Sequence, residues 1–343
     1  MEVTILENDG VIHAVLAFCD PQGTYSCHAA VVMVTIFERT KSPVCIHILH
    51  DETLTENNRA LLRETAESFG QTIAFHDVSS RVESIGDVAV ELSRHWSRGA
   101  LFRFFIQDVV SQDRAIYLDS DILVNLDIRE LWEVSLENRS LAGVLDRPGD
   151  KPFRRFSAKA FRCLLMGCDP KTYVNSGVLV MDLSRVRKKY DLIPQSVRWF
   201  KRHRRRIEFP DQDLINASFR GDIKIINSRF NSARCDGDIS GRILHARGNH
   251  KPWNSLEGSE MERLYWRTFL RTPWGRLSPE EVADVMIDVV RDSPYTHRRV
   301  SRCYSNLLGR LRRDISRSDA PKIAWLLLKD SFYMLKGMFL RQQ

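Results

Sequence analysis

The stretch Ala115-Ile116-Tyr117-Leu118-Asp119-Ser120-Asp121-Ile122-Leu123-Val124 constrains this chain more than any other. An apolar, β-rich run stops at two acids one residue apart and then resumes, which reads as a buried strand. On an extended backbone, side chains at i and i+2 leave from one face. Two like charges there repel unless a positive group sits between them. A hard divalent cation takes carboxylate and phosphate oxygens together, so a metal carrying a diphosphate fits the pair. The plain alternative is a solvated turn with two acids, against which the apolar flanks on both sides weigh.

The surrounding sequence alternates strands and helices. His13–Cys19 reads as a first strand, ending in the turn residues Asp20-Pro21-Gln22-Gly23-Thr24-Tyr25, with a helix from Ser26 to Arg39. Val44–His50 is a second strand; Thr55 caps a helix reaching Phe69, with Gly70 at its end. Thr72–Val78 is a third strand, and Gly99–Val110 a helix carrying Arg103. The Asp119 strand is the fourth, and Leu141–Asp146 the fifth. This spacing predicts an α/β fold with a mainly parallel sheet and helices on both faces. Three strands then end in Asp20, Asp119 and Asp146 at one carboxyl edge, where open α/β sheets bind ligands. At Asp20 a capping role and a ligand-binding role weigh about equally. Arg103 reads as a brace for the carboxylates or for a phosphate.

Downstream, Tyr173-Val174-Asn175-Ser176-Gly177 heads an apolar strand and brings small polar groups to the edge, or marks a β-bulge. A long helical stretch follows, ending in the basic run 201–206. Pro210-Asp211-Gln212-Asp213 opens another helix; Pro and acids are ordinary there, but Gln212 is not explained by that and has an amide suited to sugar hydroxyls. His245 leaves an apolar strand and is followed by Gly248 and Lys251, a set suited to a metal and a phosphate.

The 343 residues suffice for one large domain or two ordinary ones, and a net charge of +7 suits an acidic partner. No zinc-finger or RNA-binding signature supports nucleic acid as that partner. The seven cysteines are scattered without a Cys-x-x-Cys pair, and no leader or spanning segment is evident, so the expectation is a reduced, cytoplasmic protein. After Trp253 the character changes, and from the capping box Ser278-Pro279-Glu280-Glu281 basic helices follow to the end. Lys322, Lys329 and Lys336 recur on one face and Leu328, Phe332, Leu335 and Phe339 on another. That pattern suits either an anionic membrane surface, on the inner face of the plasma membrane, or docking on a core.

Taken together, Asp20…Tyr25, Arg103, Tyr117-Leu118-Asp119-Ser120-Asp121, Asp146, Tyr173-Val174-Asn175-Ser176-Gly177, Asp211-Gln212-Asp213 and His245-x-x-Gly248-x-x-Lys251-Pro252-Trp253 resemble the retaining glycosyltransferases of family 8. Bacterial lipopolysaccharide galactosyl- and glucosyltransferases are among them. The resemblance covers roughly residues 13 to 275. It implies a nucleotide-sugar-binding domain of GT-A type over 1–275, with a basic helical extension over 276–343. It also implies transfer of galactose or glucose from a UDP-sugar to a glycan acceptor, with Mn2+ or Mg2+ as cofactor. Residue by residue, Asp119, Asp121 and His245 would hold the metal. Gly248 and Lys251 would bind the diphosphate, and Asp20 and Tyr25 would surround uridine, with Ser120 in the donor-binding set. Arg103, Asp146, Asn175, Asp211 and Gln212 would surround the donor sugar, with Gln212, Asp211 and Asp146 nearest the chemistry. One departure is that four residues separate Asp20 from Tyr25, a wider spacing than the family's usual one. The rival reading is a non-catalytic, membrane-associated module that holds a nucleotide.

Overall fold

The first strand is buried along its whole length because both its faces are covered, which is why IHAVLA shows no apolar–polar alternation. It belongs to a computed structural model that describes residues 10–86, 98–146, 158–203, 209–233, 237–248, 251–254 and 258–276. In chain order its strands are β1 (Ile12–Ala17), β2 (Val44–His50), β3 (Thr72–Asp77), β4 (Arg114–Leu118), β5 (Ile122–Asn125), β6 (Leu141–Leu145), β7 (Val174–Asp182), β8 (Ile223–Ile225), β9 (Ser232–Ala233) and β10 (Arg242–His245). The main sheet runs β3-β2-β1-β4-β7-β6-β8. All its pairings are parallel except those of β7, which is antiparallel to β4 and β6. A smaller sheet has the order β5-β10-β9.

The first three strands build outward from β1, and β4 then returns to its other side. The carboxyl ends of β1 and β4 therefore flank the point where the winding reverses, the usual ligand position in such sheets. Because β7 is antiparallel, its leading residues Asn175-Ser176-Gly177 arrive at that same edge. Its register against β6 slips between Gly143 and Leu145, so this segment bulges from the ladder.

Helix α1 (Tyr25–Phe37) has almost no exposed face. Ala30 and Met33 pack with Leu16 and Ile116 of the main sheet, while Cys27 and Val31 pack with Leu123 and Leu244 of the small one. A helix held between two sheets needs apolar residues all round. Helix α2 (Glu56–Ser68) begins where the Thr55 hydroxyl accepts from the Asn58 amide and ends at Gly70, whose φ of 64° needs no Cβ.

Three expectations change. Residues 115–124 are not one strand: the chain breaks at Asp119-Ser120, and β4 and β5 lie in different sheets. Gly99–Val110 is not one helix but Gly99–Phe102, a 3-10 turn at Arg103–Phe105, and Ile106–Val109. The tightened turn faces Arg103 inward, and its Nε donates to the Ala100 carbonyl at 3.1 Å. The long stretch after β7 divides into Leu183–Lys189 and Leu192–His203. The basic segment 147–157, residues 204–208 and everything from 277 onward, with the amphipathic C-terminal pattern, lie outside the described residues.

Candidate active site

The two acids meet through a turn, not through strand alternation. The Asp119 amide donates to the Gly177 carbonyl at 2.9 Å, continuing the β4–β7 ladder. The Asp121 carbonyl accepts from the Ala246 amide at 3.1 Å, continuing the β5–β10 ladder. The dipeptide step between them is where the chain leaves one sheet for the other. His245, at the end of β10, pairs with Ile122 and so stands beside Asp121.

One oxygen of each acid is already taken. Asp119 Oδ1 accepts from Arg103 Nη2 at 3.0 Å and from the Tyr117 hydroxyl at 2.7 Å. Asp121 Oδ2 is gripped by the Lys251 ammonium, which also donates to the Ala246 carbonyl at 2.7 Å. The remaining oxygens face the imidazole: His245 Nε2 is 3.7 Å from Asp119 Oδ2 and 3.3 Å from Asp121 Oδ1. Buried Asp121 Oδ1 has no hydrogen-bond donor. Burial pushes the Asp121 carboxyl up, but His245, when it is protonated, and the Lys251 ammonium outweigh it and hold it below the usual carboxylate range.

The tautomer of His245 follows from its neighbours. Arg247 Nη2 can only donate, and it donates to Asn231 Oδ1 at 2.9 Å, so that atom is an acceptor. His245 Nδ1 lies 3.0 Å from the same oxygen and therefore carries the proton. In a neutral ring Nε2 then presents a lone pair to the carboxylate oxygens. Three acceptors whose atoms lie within 4.8 Å of one another, one of them orphaned, fit a divalent cation. A Cβ at Gly177 would stand 2.2 Å from His245 Cε1 and 2.7 Å from Asp119 Oδ2, so glycine is what lets these side chains converge.

A second cluster adjoins the first. Gln212 is fixed at both ends: its Oε1 accepts from Asn175 Nδ2 at 2.9 Å and the Ser176 amide at 3.3 Å, and its Nε2 donates to Asp146 Oδ2 at 3.0 Å and the Tyr173 hydroxyl at 3.3 Å. Asp211 Oδ2 accepts from the Ser176 hydroxyl at 2.8 Å and pairs with Arg103 Nη1 at 3.0 Å. Buried Arg103 thus ties the Asp119 turn to the Asp211 helix, a bracing arrangement. Asp213 is consumed by Arg162 and Tyr173. Asp146 also receives Arg247 Nη1 at 3.4 Å.

The nucleotide-side residues divide. The Asp20 carboxylate accepts from the Tyr25 amide at 2.6 Å, the Ser26 amide at 3.2 Å, the Ser26 hydroxyl at 2.5 Å and Asn58 Nδ2 at 2.9 Å. These bonds start α1, the arrangement of the capping alternative. Tyr25 opens that helix with its ring tilted on Phe18 and edge-on to His28 and Trp253. Burial, with the charges of Asp121 and Asp119, pushes its phenol up. His28 stacks on Trp253 at 3.7 Å, which fixes the segment carrying Lys251. Gly248 has φ 78° with open space around it, and Ser120 Oγ is buried without a hydrogen-bond partner.

Sequence reading assigned no role to Tyr117, Tyr173, Asn231 or Arg247. Arg247 lay inside the His245–Lys251 segment and was legible there. Asn231, the last residue of a 3-10 turn just before a two-residue strand, carries no local signal.

The sequence pattern described as Glycosyl transferase family 8 matches residues 18–257. A Haemophilus influenzae protein named as a glycosyltransferase is 24% identical over 216 residues, 63% of this chain and 62% of its own length. General stress protein A of Bacillus subtilis is 23% identical over 295 residues, 79% of this chain and 98% of its own. The galactosyltransferase LgtC, solved with donor and acceptor sugar analogues, superposes with a TM-score of 0.64 at 22% identity, over 80% of this chain and all of that one. The fold is accordingly the GT-A fold, and the chain belongs to glycosyl transferase family 8.

Proposed function

We propose that this glycosyltransferase moves a hexose, galactose or glucose, from a UDP-sugar to a glycan acceptor, with retention at the anomeric carbon and dependence on Mn2+ or Mg2+. The observation that carries the reading is the convergence of Asp119, Asp121 and His245 at the switch point, with an orphaned carboxylate oxygen among them. The likeness to a galactosyltransferase supports a hexose donor.

In this reading Asp119, Asp121 and His245 hold the cation, which when bound supplies Lewis-acid stabilisation of the leaving diphosphate. Lys251 leaves Asp121 for a phosphate oxygen, and Gly248 gives its backbone close access. Tyr25 and the loop shaped by Asp20 line the base, with Ser120 between the two acids. Asp146, Asn175, Asp211 and Gln212 line the donor sugar, preset by their mutual hydrogen bonds, so little reorganisation accompanies reaction. A covalent route needs a nucleophile, and the Gln212 amide oxygen is a poor one, already accepting two hydrogen bonds. Same-face transfer, with a donor phosphate oxygen taking the acceptor proton, is preferred. Mass spectrometry showing a glycosyl group trapped on Gln212 or Asp211 would overturn it.

The basic sequence after residue 276 supports a membrane-associated acceptor such as lipopolysaccharide, with peripheral attachment to the inner face of the plasma membrane. No helix of the described residues is long and apolar enough to cross a membrane. A panel of UDP-sugars with Mn2+ and no acceptor tests the reading through release of UDP. UDP-galactose or UDP-glucose should be hydrolysed. Tight UDP binding with no turnover of any sugar would identify the non-catalytic nucleotide-holding module instead.

A further inference from the structure

Parallel strands buried on both faces are ordinarily filled with Val, Ile and Leu. In buried β1 and β2 that pattern fails at His13, Cys45, His47 and His50, and the more exposed β3 adds His76. His13 pairs in register with Cys45, so the two project from the same face, and His47 lies two residues further along β2 on that face. One ligand atom from each of His13, Cys45 and His47 falls within the same 4.8 Å that groups Asp119, Asp121 and His245. Yet the place is different. His13 is level with Ala115 on β4, so Asp119 is four residues further on, about 13 Å along the strand.

The ring geometry is that of ligands about an ion. His13 Nδ1 and His47 Nε2 are 3.0 Å apart. Two nitrogens on one tetrahedral zinc ion are separated by about 3.3 Å, given Zn–N bonds near 2.05 Å. On its far side, His47 Nδ1 lies 3.0 Å from His76 Nε2, with the two rings stacked. If His47 Nδ1–H donates to His76, then Nε2 carries the lone pair, which is the outer hydrogen bond that orients a metal-bound imidazole. His13 and His47 are buried, at 7% and 4% exposure, while Cys45 is half-buried and opens the cluster to solvent.

We propose that His13, Cys45 and His47 form a second metal site, for zinc or a similar borderline divalent ion, which clamps β1 to β2 away from the transfer chemistry. Two imidazoles and a thiolate favour zinc, whereas two carboxylates and one imidazole suit manganese or magnesium, so the two sites sort ions by donor type. Binding releases the Cys45 thiol proton to solvent, and the His13 proton, which in the metal-free ladder sits on Nδ1 and points at His47 Nε2, passes through solvent to Nε2 and leaves Nδ1 to the ion. Without metal, the same residues form a hydrogen-bonded ladder from His13 through His47 to His76.

Cobalt is the probe, because the Asp119 cluster contains no sulfur. Titration of the full chain should give a thiolate-to-cobalt charge-transfer band in the near ultraviolet, displaced by one equivalent of zinc. The band should persist in Asp121→Asn and vanish in Cys45→Ser, and His47→Gln should weaken binding at least tenfold. A measurement on the unmodified protein stands beside the variants: zinc, but not manganese, should protect Cys45 from iodoacetamide by at least tenfold in rate, mapped by peptide mass spectrometry. Absence of the band at excess cobalt, its survival in folded Cys45→Ser, or unprotected Cys45 in zinc would leave only the hydrogen-bonded ladder.

Discussion

Gly177 and His245 share a space that admits only one of them: a Cβ on Gly177 would lie 2.2 Å from Cε1 of the imidazole. The glycine backbone also receives the Asp119 amide, so it cannot retreat without moving that acid. Gly177→Ala should therefore expel His245 from the cluster while leaving most of the sheet intact. Overpacking of this kind costs about 1–3 kcal/mol. UDP-sugar hydrolysis should fall by at least about 100-fold, the scale of losing well-placed electrostatic stabilisation. Near-normal turnover in a folded Gly177→Ala chain would show that His245 need not stand there.

Lys251 pairs with Asp121 Oδ2, so its charge stands against the cation that Oδ1 of the same carboxylate would bind. It is therefore a competitor of the metal before the nucleotide arrives and a phosphate ligand afterwards. Lys251→Met should tighten Mn2+ binding to the nucleotide-free protein by about three- to tenfold, as expected for removing a partly exposed charge pair of about 1 kcal/mol. It should raise the Kd for UDP in the presence of Mn2+ by tenfold or more. Calorimetry of each step separates the two effects. Weakening of both in parallel would mean that Lys251 only props up the site.

The α/β class, the parallel strands and the shared acidic edge were legible because buried strands and capped helices leave local periodicities. The limits of that reading are physical. The extended reading of Ala115–Val124 failed because a two-residue turn inside an apolar run looks like a strand until the partner ladders are known. The helix Glu260–Phe269 was not located, although Ser259 and Glu262 form a capping box that stands in the sequence. Asp20 shows the opposite difficulty: its type suits both a cap and a ligand, and only the donors around it decide. Arg103 reads as a brace for the carboxylates or for a phosphate, but the distance between residues 103 and 211 carries no periodic signal. Asn231 is felt only through His245, so nothing short of the folded contacts reveals it.

Asp222 supplies a pH-dependent prediction away from the site. Its carboxylate accepts from the Ser140 hydroxyl at 2.6 Å, the Tyr190 hydroxyl at 2.7 Å and Lys189 Nζ at 3.2 Å. Burial raises the carboxyl, but the hydrogen bonds of Ser140, Tyr190 and Lys189 prevail and bring it down to about 2. A group depressed in the folded state stabilises fully above its unfolded value of about 3.9 and loses that contribution as pH falls through about 2. Asp222→Asn should therefore lower the thermal midpoint at pH 7, with the gap to the unaltered chain closing between about pH 4 and pH 2. A gap independent of pH over that window would assign the effect to packing instead.

Asn231 sets the His245 tautomer through one oxygen, and its Nδ2 donates to Asn175 Oδ1 at 2.8 Å. Asn231→Ala removes the acceptor at Nδ1 and frees the ring to rotate, while Arg247 loses one acceptor and keeps the residue-231 carbonyl and Asp146. Loss of such an outer partner lowers metal affinity by about 10- to 100-fold. Asn231→Asp keeps an acceptor for both His245 and Arg247 and adds negative charge that raises the basicity of the ring. It should therefore hold Mn2+ better than the alanine variant, even though the bond to Asn175 is lost. Titration of Mn2+ by electron paramagnetic resonance orders the three proteins directly. An alanine variant that binds Mn2+ as tightly as the unaltered chain would detach Asn231 from the orientation of His245, and the lone-pair argument for the cluster would lose its support.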